Sequence, residues 1–215
     1  MTRTTMWMLG WVATAAACSD FDLPSALSRD QILAVQSSPA VIAPGSRGRL
    51  DALVAGPDGE IADAALTWSA SAGAIEVDDA GETWLVVPDA APADGIEVAL
   101  EVETAGAVLT AVKRVPIGAT ELDNPQMVSL EADGEPIGDA GLTAATTREL
   151  ELSAQLERPD VQRLSWFATV GEIELYRHNP AVLAGPAEPA RGWLFAVGRD
   201  DRGGVIWRTA RVVFE

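Results

Sequence analysis

The chain has 215 residues, 48% hydrophobic and 22% charged, which supplies core material for one large domain or two small ones. Asp and Glu number 32 against 15 Lys and Arg, a formal net charge of −17 that repels phosphate backbones and excludes nucleic-acid binding through a basic groove. Lys113 is the only lysine and Cys18 the only cysteine.

Residues 1–17, "MTRTTMWMLGWVATAAA", combine a basic residue at Arg3, an apolar run over 6–12 and small residues over 13–17. That is the three-part pattern of a secretory signal peptide. The run is shorter than the roughly 20 apolar residues a bilayer span needs. Ala15, Ala16 and Ala17 ahead of Cys18 resemble the lipobox of bacterial lipoproteins, with Ala15 where that motif usually has Leu. The resemblance implies Cys18 as the lipid-attachment residue, carrying a palmitate-type anchor, with the membrane as a partner. It also implies a cell-envelope address, and Ser19 after the cysteine points to the outer membrane. Residues 18–29, "CSDFDLPSALSR", read as a short polar tether broken at Pro24.

The remainder carries an internal repeat with a period of about 97 residues, too long for a solenoid and suited to tandem domains. "LTWSASAGAIE" (66–76) aligns with "LSWFATVGEIE" (164–174), and two further blocks downstream align in the same order. In the first unit, "RLDALVAG", "ALTWSAS", "TWLVVPD", "IEVALEVE" and "AVLTAVKRVP" read as short strands separated by turn residues such as "GPDGE" and "VDDAGE". The second repeats the pattern with "MVSLEA", "RELELSAQLE", "LSWFATVGEIE", "AVLAG", "GWLFAVG" and "GVIWRTARVVF". About seven short strands per 90–100 residues describe an immunoglobulin-like sandwich. The expected fold class is all-β: two tandem Ig-like β-sandwiches, over 30–117 and 123–215, with a proline-stiffened hinge between them. The units resemble bacterial Ig-like modules, with Trp68 and Trp166 at the buried tryptophan of the third strand and no flanking cysteines.

Candidate chemistry is sparse. His178 is the one histidine and lacks the partners a catalytic triad or zinc site needs. The acidic turns lack calcium-loop spacing, and Glu121, Asp123 and Asn124 of the hinge are the nearest approach to a calcium set. No cofactor or metal is expected, and no catalytic residue. Trp84, Trp193 and Trp207 have no aromatic counterpart in the other unit, so they are candidates for either core packing or a binding surface. The functional expectation is a non-enzymatic envelope lipoprotein that binds or spaces, with protein or cell-surface polysaccharide as partner. The alternatives are an accessory subunit offering an edge strand, or a carbohydrate-binding module.

Overall fold

Alternating burial marks most strands: in "IEVALEVE" the Ile, Leu and Val side chains point inward and all three glutamates outward. The computed structural model of the protein describes residues 23–158 and 161–215. The first half forms β1 (Gln31–Ser38), β2 (Arg47–Gly56), β3 (Gly59–Glu60), β4 (Ala65–Ala70), β5 (Ala74–Val77), β6 (Thr83–Val86), β7 (Ile96–Glu103) and β8 (Val108–Val115). The second half forms β9 (Met127–Ala132), β10 (Glu135–Pro136), β11 (Leu142–Ala144), β12 (Glu149–Leu156) and β13 (Val161–Ala168). It continues with β14 (Glu172–Glu174), β15 (Ala181–Ala184), β16 (Ala190–Asp200) and β17 (Val205–Phe214).

The protein is all-β, two tandem Ig-like sandwiches. In the first, β1-β2-β6-β5 faces β4-β7-β8, with β3 paired to β2; in the second, β10-β9-β12-β15-β14 faces β11-β17-β16-β13. Both contain the four-strand and three-strand division of a constant-type Ig domain; the first adds β3, and the second adds β10 and β11, the latter pairing parallel with β17. No sheet mixes strands from the two halves among the described residues.

The second core closes around Trp166, fully buried with Leu152, Leu183, Leu194 and Phe214. Burying each such side chain contributes about 1.5–3 kcal/mol. The Trp166 indole N–H donates to the His178 carbonyl oxygen at 3.0 Å, which satisfies the ring's one polar group. Trp68, its repeat partner, is half-buried and bridges two smaller clusters, one around Leu85 and Ile96 and one around Val54 and Leu100. Turn chemistry follows the sequence: Asp133 and Gly134, both at positive φ (52° and 81°), make the two-residue turn joining β9 to β10.

Residues 1–22, which include the expected signal peptide, lie outside the described residues. The part of the expected tether that is described is docked. Ser25 and Leu27 are buried, Leu27 N–H donates to the Ala168 carbonyl (3.0 Å), and Ala168 N–H donates to that of Ser25 (2.9 Å). Residues 25–27 thus run beside the end of β13, in the second sandwich.

Candidate functional site

Two strands depart from alternation, and they define the most distinctive surface of the molecule. On β2, Ala52 and Val54 face the first core, yet Leu53 and Ala55 on the opposite face are fully buried too. On β16, Leu194 and Ala196 face the second core, while Phe195 and Val197 on the outer face have no exposure. A strand buried on both faces reads as a continuous apolar run rather than an alternating one. "ALVAG" (52–56) and "GWLFAVG" (192–198) are such runs.

The two outer faces cover each other. Leu33, Ala34, Leu53 and Ala55 of the first sandwich pack against Phe195, Val197 and Val205 of the second. Leu27 joins this cluster, and Phe167, Trp193 and Trp207 pack at its rim. The outer face of the β1-β2 sheet therefore lies on the outer face of the β13-β16-β17 sheet. At the rim the backbone of Gly59, the first residue of β3, with φ +116°, approaches the Trp193 ring closely. A Cβ there would lie 2.5 Å from its indole nitrogen.

Polar groups fasten this seam. Asn124, in the linker, donates from Nδ2 to the Ser37 carbonyl at 2.8 Å and accepts at Oδ1 from Val205 N–H at 2.9 Å, so one side chain ties both sandwiches. Gln36 Nε2 donates to the Val205 carbonyl. Arg199 Nη2 donates to the Leu33 carbonyl at 2.6 Å, and Lys113 Nζ to the Gly203 carbonyl at 2.6 Å. The linker itself is held: Ile42 N–H donates to the Pro116 carbonyl (3.1 Å) and Ala40 N–H to that of Leu122 (2.8 Å). Pro116 and Pro125 sit against Gly203 and Gly204 of the β16–β17 turn. The proline-stiffened hinge of the sequence reading is thus a segment bonded along its length to the first sandwich.

The repeat explains why only one sandwich has this face. Ser71 N–H donates to the Glu97 carbonyl and Thr169 N–H to that of Trp193, so Glu97 and Trp193 are equivalent positions. By strand register Ala99 corresponds to Phe195, Glu101 to Val197 and Thr110 to Trp207. The adhesive Trp-Phe-Val row of the second sandwich is a Glu-Ala-Glu row in the first. Trp193 and Trp207 lack aromatic counterparts because the equivalent β4-β7-β8 face of the first sandwich is exposed rather than covered.

Trp84 has a separate setting. It stands on the outer face of β6, with Arg47 over its ring at 4.2 Å and its indole N–H donating to Asp78 Oδ2 at 3.0 Å. That N–H, with the Glu82 amide, holds the Asp78 carboxyl below the usual carboxylate range. Cys18 lies outside the described residues. The His178 side chain is exposed beside the turn in which its N–H donates to the Leu175 carbonyl at 2.7 Å. The acids of several turns are engaged by backbone amides: Asp78 by Ala80 and Glu82, Asp133 by Glu151 of β12, Asp200 by Arg202 and Gly204. Asn124 of the calcium-like triplet has its carbonyl oxygen committed to Val205. No group of three or more His, Cys, Asp or Glu able to hold a metal occurs among the described residues.

A cationic crevice opens where the seam meets β8. Lys113, Arg199 and Asp200 line a cleft of about 280 Å³, and an adjoining cleft of about 470 Å³ is lined by Arg163, Arg177 and Arg199. Asp200 is engaged elsewhere: its carboxylate pairs with Arg158 at 3.1 Å and accepts the two turn amides. Burial first, then the neighbouring Arg199 guanidinium, push the Lys113 ammonium down to about 8, with Asp200 opposing. Arg199 is lowered as well, by burial and then by Arg163.

No family model and no curated protein matches the chain. Among solved structures it is similar to the N-terminal Ig1-2 module of the Drosophila receptor protein tyrosine phosphatase DLAR. That match has 10% identity and a TM-score of 0.35, covering 87% of this chain and 99% of that one. It is also similar to the tandem Ig repeats of Dlar (10% identity, TM-score 0.37, 87% and 98% covered). A chimeric titin Z1Z2 matches at 13% identity and a TM-score of 0.28, covering 88% and 98%. The likeness at these levels is one of fold.

These findings correct the expected identity. The matched structures are Ig pairs of a Drosophila receptor and of titin, not bacterial lipoproteins with bacterial Ig-like domains. The outer-membrane and cell-envelope address, the palmitate anchor, and the membrane and surface-polysaccharide partners are withdrawn with that identity. The physical reason is a separation of signals: the address rests on residues 13–19, outside the described residues, whereas the sandwiches are built by 31–215, with residues 25–27 docked beside β13. No helix among the described residues is long and apolar enough to cross a membrane.

Proposed function

We propose that the protein is a non-catalytic binding module whose two Ig-like sandwiches, over 30–117 and 123–215, are locked face to face and act as one rigid body. The observation that carries this reading is the complete burial of Phe195 and Val197 on the outer face of β16, beneath Leu53 and Ala55 of the first sandwich. Domains in tandem move relative to each other unless their interface is large and hydrophobic. Here the interface is apolar at its centre, fastened by side-chain-to-backbone bonds at its rim, and closed by a bonded linker. In this reading Trp193 and Trp207 are binding residues whose partner is the first sandwich, which takes them away from a sugar-stacking platform.

Small-angle X-ray scattering tests the reading. The wild type should give the compact profile of stacked sandwiches. Phe195→Asp, which places a charge in the seam, should give an extended two-body profile with the strand content of circular dichroism retained. An extended wild-type profile would overturn it.

A further inference from the structure

The backbone of β8 has a partner on one side only. Over Val108–Val115 it pairs antiparallel with β7, and no other backbone bond reaches residues 108–112 among the described residues. The stretch "VLTAV" carries no charge and no proline, the devices that usually protect an edge strand from pairing. Its outward side chains Val108 and Val112 are 61% and 69% exposed. Between this edge and β1 runs a trough made of two contiguous clefts. One of about 650 Å³ lies beside Gly106–Ala111, the other is the 280 Å³ cleft ending at Lys113, and Ile32 and Ala111 line both.

The far end of the trough is charged against the trend of the molecule. In a chain of net charge −17, four of the 15 basic residues, Lys113, Arg163, Arg177 and Arg199, line its last cleft and the adjoining one. The acid among the described lining residues, Asp200, is already bonded to Arg158 and to turn amides. Lys113 and Arg199 are instead bonded to carbonyls, and among the described residues neither has a carboxylate within salt-bridge range.

We infer that this edge and crevice together bind an extended, acidic polypeptide segment of another protein, which adds as a strand to β8 and places carboxylates beside Lys113 and Arg199. Unpaired backbone donors and acceptors along an edge are met by another backbone. That requirement favours a polypeptide over a polyanionic sugar or nucleic acid, which would use the cations alone. Alternate side chains of the added strand would lie over Val108, Thr110 and Val112 on one face. Those between would enter the trough over Ile32 and Ala111, where β-branched and small residues fit. A second copy of the chain is the wrong occupant, because its β8, "VLTAVKRV", carries Lys113 and Arg114 and no carboxylate to offer.

The inference rests on the locked pair, since Lys113 and Arg199 come from different sandwiches. Calorimetric titration of the full chain provides the test. The probe is a ten-residue peptide of alternating valine and threonine ending in two aspartates. Two control peptides carry two asparagines at that end, or N-methyl groups on alternate backbone amides; heparin serves as a non-peptide polyanion. The acidic peptide should bind at least tenfold more tightly than either control peptide. Lys113→Gln and Arg199→Gln should each weaken it about tenfold, and Thr110→Pro should do so through the backbone. Equal binding of the N-methylated peptide, binding of heparin as tight as the peptide's, or no peptide binding would overturn the inference. A compact scattering profile with no peptide binding would overturn it while leaving the locked pair intact.

Discussion

At Gly59 a backbone conformation and a neighbour act together. Its φ of +116° is one that side-chain-bearing residues rarely adopt, and the Trp193 ring occupies the space a Cβ would take, at 2.5 Å. Gly59→Ala should therefore loosen the seam by about 1–3 kcal/mol, the usual range for overpacking, seen as a lower denaturation midpoint. Pairing it with Trp193→Ala should recover part of that loss; no recovery would show the strain to be purely local to the turn. Asp78 makes a second residue-scale case. Because the Trp84 indole N–H and the Glu82 amide lower its folded-state pKa below 3.8, its contribution is present above that value. It is lost as pH falls through the lowered one. Trp84 fluorescence should titrate with a midpoint below 3.8, and a midpoint at or above that value would contradict the contact.

At the scale of elements, β7 and β16 are the same strand put to different uses. Truncating Phe195→Ala should cost about 3–5 kcal/mol, as for a core phenylalanine, although the residue lies on the outside of its own sandwich. The converse change is more telling. Glu97→Trp, Ala99→Phe and Glu101→Val together would give the first sandwich the adhesive row of the second. That variant should fold and self-associate in sedimentation; a monomer would mean the row alone does not make the seam. Much at this scale was legible in the chain. The repeat, the strand alternation, the Asp-Gly turns and the core position of Trp166 were readable, because each depends on local period or turn chemistry; Trp68, expected to be buried like it, is half-buried. The seam was visible only as "ALVAG" and "GWLFAVG", apolar at nearly every position, a signal easily absorbed into the general expectation of a buried strand. What covers such a face depends on the relative placement of two sandwiches, which no local period encodes. The cationic crevice was less legible still, since Lys113, Arg163, Arg177 and Arg199 are spread over 87 positions of sequence and assembled only by docking.

The whole molecule is strongly acidic yet concentrates cations where its two halves meet, and this couples docking to pH. Lys113 is faced by Arg199 and Asp200 from β16, with Arg163 of β13 beside Arg199 and Arg158 paired to Asp200. Its folded-state pKa is lowered from 10.5 to about 8, so between those values the unfolded chain binds the proton that the folded chain has released. Stability should accordingly rise with pH from about 8 to 10.5, and the penalty is complete below 8. Its size is on the order of 3 kcal/mol. The difference in stability between wild type and Lys113→Gln should follow that rise; a flat difference would place Lys113 in water. The same docking governs the central claim, that the two sandwiches are one body. Residual dipolar couplings of backbone amides, collected for both halves in a single alignment medium, test it most directly. One shared alignment tensor for 30–117 and 123–215 is the predicted result, and two tensors of clearly different magnitude or orientation would contradict it.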